Sequence, residues 1–376
     1  MLQGEEVMHG KLIVFIGICT ILLGACTNSE NKVLHTKDFN FTMPEVQEFT
    51  NPKEDDITEK SIPVGCTMIP SKLTNNGILI GTENHSIKGY DLNKTREEIL
   101  YTMQSESAFD TLGILAASDD YMIFCEIIDS KNYKYYAYEF SSKKTSLIKE
   151  SKDLSALVTD EAIIHKDKAY LFLCDKTNDE QEYTYNGYIY DFKTGELDLF
   201  ENEKLASFPA MLNDRLYYLQ IDNKGLTTTL IQYSPEKDEK RILLDGNLHD
   251  GYISELKSDG KQLYVFVSKE NGKTYCFRYQ PDKGEIKPYI VMDSTDGLTV
   301  SERFMTWINW SKPDDRMHTM YYMLDIENNL LYKYEGSEIV QADNQMIWTK
   351  FLKKENSIPK GEIFQKGNSQ LMWFKF

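Results

Sequence analysis

The stretch YNGYIYDFKTGELDLF, residues 185–200, decides the fold. Tyr188, Tyr190 and Phe192 alternate with smaller or polar residues, the two-residue period of a strand with one buried face. Lys193-Thr194-Gly195 supplies a polar turn, and Leu197 and Leu199 resume the alternation. This is the sequence form of a β-hairpin. A lone hairpin is marginal in water, so its packing partners must lie elsewhere in the chain.

They are present as copies. GYDLNKTREEIL, AYEFSSKKTSLI, IQYSPEKDEKRIL, FRYQPDKGEIKPY and YMLDIENNLLYKY repeat the strand, turn and strand. Aligned on the last large residue before the turn, the copies give Leu92, Phe140, Phe192, Tyr233, Tyr279 and Leu324, spaced by 48, 52, 41, 46 and 45 residues. Two residues earlier stand Tyr90, Tyr138, Tyr190, Ile231, Phe277 and Tyr322, all large and on the same face. A further strand precedes each hairpin: GILIG (77–81), YMIFCEI (121–127), AYLFLC (169–174), RLYYLQI (215–221), QLYVFV (262–267) and MTWINW (305–310). A last copy, MIWTKF (346–351) and LMWFKF (371–376), places Met372 and Phe374 at the two aligned positions and then stops.

A period near 45 residues with about four short strands in each copy predicts an all-β chain, a β-propeller of four-stranded antiparallel blades. Seven blades are counted, or six if Lys350 to Asn368 is not blade structure. The final copy lacks its outer strand, so an N-terminal strand must close the ring, with Asn40-Phe41-Thr42-Met43 the expected segment. A β-sandwich or two β domains would share the alternation, but not the near-constant period or the truncated last copy.

The beginning of the chain reads differently. Leu12 to Ala25 is an uncharged run of fourteen residues, short for a bilayer span but suited to the apolar core of a secretory signal. Lys11 is the sole basic residue before it, behind Glu5 and Glu6; a start at Met8 rather than Met1 gives a cleaner signal. Leu23-Gly24-Ala25-Cys26 resembles the bacterial lipobox. That resemblance implies cleavage between Ala25 and Cys26 and a diacylglyceryl thioether on the Cys26 sulfur. Two acyl chains hold a protein stably at a membrane, whereas one is marginal. The expected organisation is therefore a signal peptide (1–25), a flexible tether (26–37) and a propeller domain (38–376) outside the cytoplasm, on the outer face of the cytoplasmic membrane. A flexible tether of that length reaches on the order of 18 Å.

Removing residues 1–25 leaves 351 residues with a formal charge of −16. Such acidity repels nucleic acid and anionic lipid, so membrane contact is expected through Cys26 alone. Cys66, Cys125, Cys174 and Cys276 are widely spaced, with no CxxC, in apolar strand-like contexts, and read as buried free thiols. Nothing in the pattern calls for a metal or cofactor. Asp175 to Glu180 and Asp314-Asp315 are carboxylate-rich but lack calcium-loop spacing, and read as solvated connections. His165 and His249 lie near loops with no partner in view. GxSxG, Walker-type and HExxH motifs are absent, as is the SxDxGxTW box of sialidases. No residue is assigned to catalysis. The 24 tyrosines are explained largely by blade packing, and Trp307 and Trp348 by matching core strands. Trp310, ahead of the loop Ser311-Lys312-Pro313-Asp314-Asp315, is the candidate ligand-stacking residue.

Ser258-Asp259-Gly260-Lys261-Gln262-Leu263 is similar to the SPDGKxL turn of TolB-like propeller repeats, without its Pro, and Asn213-Asp214-Arg215-Leu216-Tyr217-Tyr218 resembles the corresponding turn of other bacterial repeats. Residues 64–376 thus resemble bacterial propeller lipoproteins, and these motifs are structural. The function expected is non-catalytic binding of a protein, peptide or cell-wall glycan at one end of the axis. The alternative is a hydrolase or lyase with an acidic, calcium-dependent axial site, which fold-level analogy allows. Three inward carboxylates or a histidine at the axis would favour the enzyme; an aromatic rim would favour binding.

Overall fold

The computed structural model describes residues 41, 46–48, 58–61, 68–105, 107–154, 160–176, 183–202, 205–221, 228–244, 251–269, 272–281, 283–293, 295–309, 320–335, 337–343, 345–351 and 369–375. Every regular element among them is a strand. They form seven separate sheets, each built on a blade of four antiparallel strands that follow the sequence from the axis outward, except that the outermost strand of the seventh comes from the N-terminal segment. The innermost strands are Ile69–Leu73, Thr111–Ala117, Glu161–His165, Leu205–Leu212, Tyr252–Ser258, Thr299–Val300 and Ser337–Ala342. Each touches the innermost strand of the next blade, and the seventh touches the first, so the ring is closed.

Packing follows the repeat. Seven apolar clusters fill the seven interfaces between consecutive blades. A blade cannot bury both faces alone, so the stack must close on itself. The aligned residues sit in these clusters: Tyr90 and Leu92 between blades 7 and 1, Tyr279 and Phe277 between blades 4 and 5. Trp307, Trp348 and Trp373 are buried. The count of seven therefore holds, and Gln345–Phe351 with Ser369–Lys375 belong to the seventh blade.

The closing strand is N-terminal but lies further along than expected. Thr58–Ser61 pairs antiparallel with Ser369–Lys375, placing Lys60 opposite Trp373. Phe41 is instead packed edge-on against Tyr275 and Phe277, with ring centroids 4.9 and 5.0 Å apart. Between them Val46–Glu48 runs parallel to Leu330–Glu335 as a fifth strand on blade 6. The N-terminal arm thus visits blades 5, 6 and 7 in turn. A large residue shortly before a proline fits a strand edge and an apolar plug equally well, and Phe41 is the plug.

The turn motifs have local causes. The Asp259 carboxylate accepts the Lys261 and Gln262 amides, each at 2.8 Å, and the Tyr264 hydroxyl at 2.8 Å, while Gly260 adopts φ +82°. Asn213 and Asp214 take φ of 51° and 59°, the paired left-handed turn that joins twisted antiparallel strands most tightly. Cys125, Cys174 and Cys276 are buried free thiols, and Cys66 lies outside the described residues. Burial pushes the Cys125 and Cys174 thiols up to about 12, which makes them inert packing groups.

Candidate functional site

Side chains from blades that do not touch can come near one another only at the axis, and four charged ones are close enough there for their charges to act on one another. Lys72 belongs to the innermost strand of blade 1, Glu161 to that of blade 3, and Glu255 and Lys257 to that of blade 5. The charges of Lys257 and Glu161 both act on Lys72, and those of Lys257 and Glu161 act on Glu255. Lys257 Nζ lies 2.8 Å from Glu255 Oε1. Thr295, just ahead of blade 6, also hydrogen-bonds Glu255. Blade 4 contributes the Ser207 hydroxyl, which donates to Glu161 Oε2 at 2.8 Å, and the Phe208 amide, which donates to the same oxygen.

Backbone irregularity delivers these groups. The pairing of the innermost strand slips by a bulge between Pro70 and Lys72, between Ser207 and Ala210, and between Ile253 and Glu255. A bulge adds a residue to one strand and re-aims the side chains beside it. Phe208, inside the blade 4 bulge, has φ 57°, a conformation that a bulky residue adopts only when its surroundings impose it. Here the imposing group is Glu161, which holds the Phe208 amide.

Electrostatics at the site are mixed. Burial lowers the pKa of Lys72, Lys257 lowers it further, and Glu161 opposes them. Burial raises that of Glu255 against the pull of Lys257. Next to Glu161, the Asp160 carboxyl is pushed up to about 6, chiefly by burial, although the Tyr135 hydroxyl (2.6 Å) and the Cys174 amide (2.8 Å) donate to it. The innermost strands all begin at one end of the ring, the leading face. Three large apolar side chains stand exposed there: Ile69 (48%), Phe109 (76%) and Tyr252 (53%).

The axis therefore matches neither expected extreme. Among the described residues it gathers two lysines and two glutamates, of which Lys257 and Glu255 form an ion pair, and neither three carboxylates nor a histidine. His165 lies at the other end, where its Nε2 is 2.6 Å from Asp214 Oδ1 and the Lys166 ammonium is 2.7 Å from the same oxygen. The structure thus supplies the partner that the sequence did not show. Asp175 is engaged by Tyr188 (2.6 Å), Asn186 (2.9 Å), Ser151 (3.1 Å) and Lys149 (3.1 Å). It is a satisfied carboxylate at the seam between blades 2 and 3, since Ser151 and Lys149 belong to blade 2. Among the described residues, no three His, Cys, Asp or Glu side chains are grouped to hold a metal ion. Ala25, Cys26, Trp310, His249 and Asp314-Asp315 lie outside the described residues.

The tyrosines have a second role. Tyr101 and Tyr136 donate to Glu126, Tyr218 to Glu201, and Tyr264 to Asp259, all of them buried carboxylates. Part of the acidity is thus internal, satisfied by hydroxyls that the same core supplies. A cleft of about 490 Å³ lies between blades 1 and 2, lined by Asp91, Asn93, Arg96, Glu98, Asp119 and Phe140 among others. Its polar groups largely satisfy one another, as when Asp91 accepts the Asn93 and Lys94 amides.

No protein family and no characterised protein matches the chain in sequence. Solved structures match its shape. A prolyl endopeptidase is 12% identical, with a TM-score of 0.56 over 82% of this chain and 49% of its own. An acylaminoacyl peptidase of Pyrococcus horikoshii is 12% identical, with a TM-score of 0.51 over 76% and 49%. TolB of Acinetobacter baumannii is also among the neighbours, 10% identical with a TM-score of 0.44 over 67% and 60%. The chain spans about half the length of the two peptidases. At these identities the likeness is one of fold alone.

Proposed function

We propose that this protein is a lipid-anchored, extracytoplasmic binding protein. It is held at the outer face of the cytoplasmic membrane through Cys26, and its propeller engages a protein, peptide or cell-wall glycan at the leading face. The observation that carries the binding role is the exposed trio Ile69, Phe109 and Tyr252 on the same face as an axis whose charges come from three separate blades. Exposed apolar side chains at one end of a propeller give a partner area to bury. The anchor rests on Leu23-Gly24-Ala25-Cys26 and the apolar run before it.

The catalytic alternative needs a carboxyl or imidazole that exchanges protons with a substrate. Asp160, held near neutrality, is the best placed, but both of its hydrogen-bond donors come from the interior of the sheets. It reads as a structural carboxyl. The test of the anchored reading is fractionation of cells expressing the chain and a Cys26→Ala variant. The parent should sediment with membranes as a cleaved, acylated form, and the variant should be unprocessed or released. A cleaved variant still tightly bound to membranes would overturn the anchor.

A further inference from the structure

Two neighbouring seams of the ring can be compared residue by residue. At the seam of blades 2 and 3 the Tyr121 ring stacks on Phe192, with centroids 3.9 Å apart and planes at 10°, and its hydroxyl lies 3.5 Å from Asp167 Oδ1. The repeat places Ile78 and Phe140 at the same two positions of the seam between blades 1 and 2. Leu79 pairs with Tyr90 as Met122 pairs with Tyr138, so Ile78 stands where Tyr121 does. The Phe140 amide donates to the Asp120 carbonyl as the Phe192 amide donates to that of Asp167, so the two phenylalanines correspond. An isoleucine thus takes the place of a phenol ring. At this seam lies the cleft of about 490 Å³, with both Ile78 and Phe140 in its lining. That volume is within the ordinary range of small-molecule sites, roughly 300–1,000 Å³.

The rest of the lining is polar and held in place. Asp119 Oδ1 accepts the Asn76 amide at 2.8 Å, and the Asn93 side-chain amide donates to the Asn76 carbonyl at 2.9 Å. Asp91 Oδ1 accepts the Asn93 and Lys94 amides at 3.0 and 2.9 Å. These bonds tie the turns of blades 1 and 2 together, and a carboxylate has more acceptor positions than the backbone amides use. Arg96 adds a guanidinium to the same lining.

We propose that this cleft binds a neutral pyranose of a glycan, its C–H face stacked on Phe140 and its hydroxyls bonded to Asp91, Asp119 and Arg96. The sugar ring would sit where the next seam carries the Tyr121 ring. The electron-rich face of Phe140 suits the polarised C–H groups of a pyranose. Several hydroxyls match a lining that mixes acceptors with a guanidinium, whereas a phenol offers one. Asp91, Glu98 and Asp119 together oppose an anionic ring. The cleft lies among the turns at the end opposite the leading face, so the proposal does not rest on the leading face being a binding end.

The probes are cellobiose, maltose, N,N′-diacetylchitobiose and, as the rival aromatic ligand, N-acetyltyrosinamide. Binding to the full-length chain, in a detergent without sugar head groups, is read by saturation-transfer NMR and calorimetry. At least one saccharide should bind with a millimolar or lower dissociation constant, its ring C–H protons receiving the strongest saturation. Ile78→Tyr supplies the ring found at the next seam. It should weaken that binding at least tenfold and leave the ligand-free melting temperature unchanged or higher. Phe140→Leu should weaken binding as much, and Phe140→Tyr should keep it. No saccharide binding at millimolar concentration, preference for N-acetyltyrosinamide, or undiminished binding by Ile78→Tyr would each overturn the proposal. A lowered melting temperature in Ile78→Tyr would show that the cleft does not admit a ring, and would overturn it as well.

Discussion

Glu161 shows how much one residue can carry at the axis. Its carboxylate accepts from Ser207 and Phe208 of the next blade and faces Lys72 from two blades away. Its neighbour Asp160 gives a test by pH. A folded pKa of about 6 lies above the ordinary aspartate value, so at pH 5 the folded protein holds a proton that the unfolded chain has lost. Stability from this group is full below the unfolded pKa and is lost as pH rises through about 4 to 6. Asp160→Asn should flatten that part of the melting-temperature profile; an unchanged slope would mean the carboxyl is not buried as described. The His165–Asp214 contact and the axial cluster were illegible in the sequence because each joins blades about 50 residues or more apart. The buried cysteines were legible because each sits inside an apolar alternating run.

Among elements, legibility was greatest in the middle of each blade. The second and third strands carry the long apolar runs and were readable; most fourth strands were read from the hairpin turns that lead into them, although in five blades a register shift also interrupts their pairing. The innermost strands were not. In five of the seven blades a bulge breaks the period midway, for example between Ile114 and Ala116 and between Ser337 and Ile339. A single extra residue moves every later side chain to the other face, which erases the alternation a reader looks for. The signal that remained was charge within short apolar stretches: Lys72 in IPSKL, Glu161 in EAIIH, Glu255 and Lys257 in YISELKS. The first two strands of blade 1 also show how closely these layers fit. A Cβ on Gly81 would meet the Ile69 carbonyl oxygen at 2.2 Å, and backbone cannot yield as a side chain can. Gly81→Ala should therefore cost about 2 kcal/mol or more in chemical denaturation, against about 0.5 kcal/mol for an ordinary surface change. A neutral result would contradict the strand spacing.

The whole molecule is a ring whose two ends are joined by strand pairing. Thr58–Ser61 completes blade 7, and the arm ahead of it touches blades 6 and 5, so the N-terminal segment straps three blades together. The truncated last copy made an N-terminal closing strand legible, but its position was not. A four-residue strand of Thr, Glu, Lys and Ser carries no apolar pattern to read. Thr58 lies opposite Lys375, so Thr58→Cys with Lys375→Cys should form a disulfide on oxidation and give a compact band in non-reducing gels. Failure to crosslink would remove the proposed closure. The functional claim belongs to this scale too, since binding at the leading face requires all the blades to be in register. Its most direct measurement is position-specific photocrosslinking in intact cells, with the photoreactive residue placed at Tyr252 on the leading face or at Asn213 on the opposite face. The account predicts one reproducible adduct from Tyr252, weak or absent from Asn213, and lost when Cys26→Ala releases the protein from the membrane. Equal capture from both faces, or an adduct indifferent to Cys26, would contradict it.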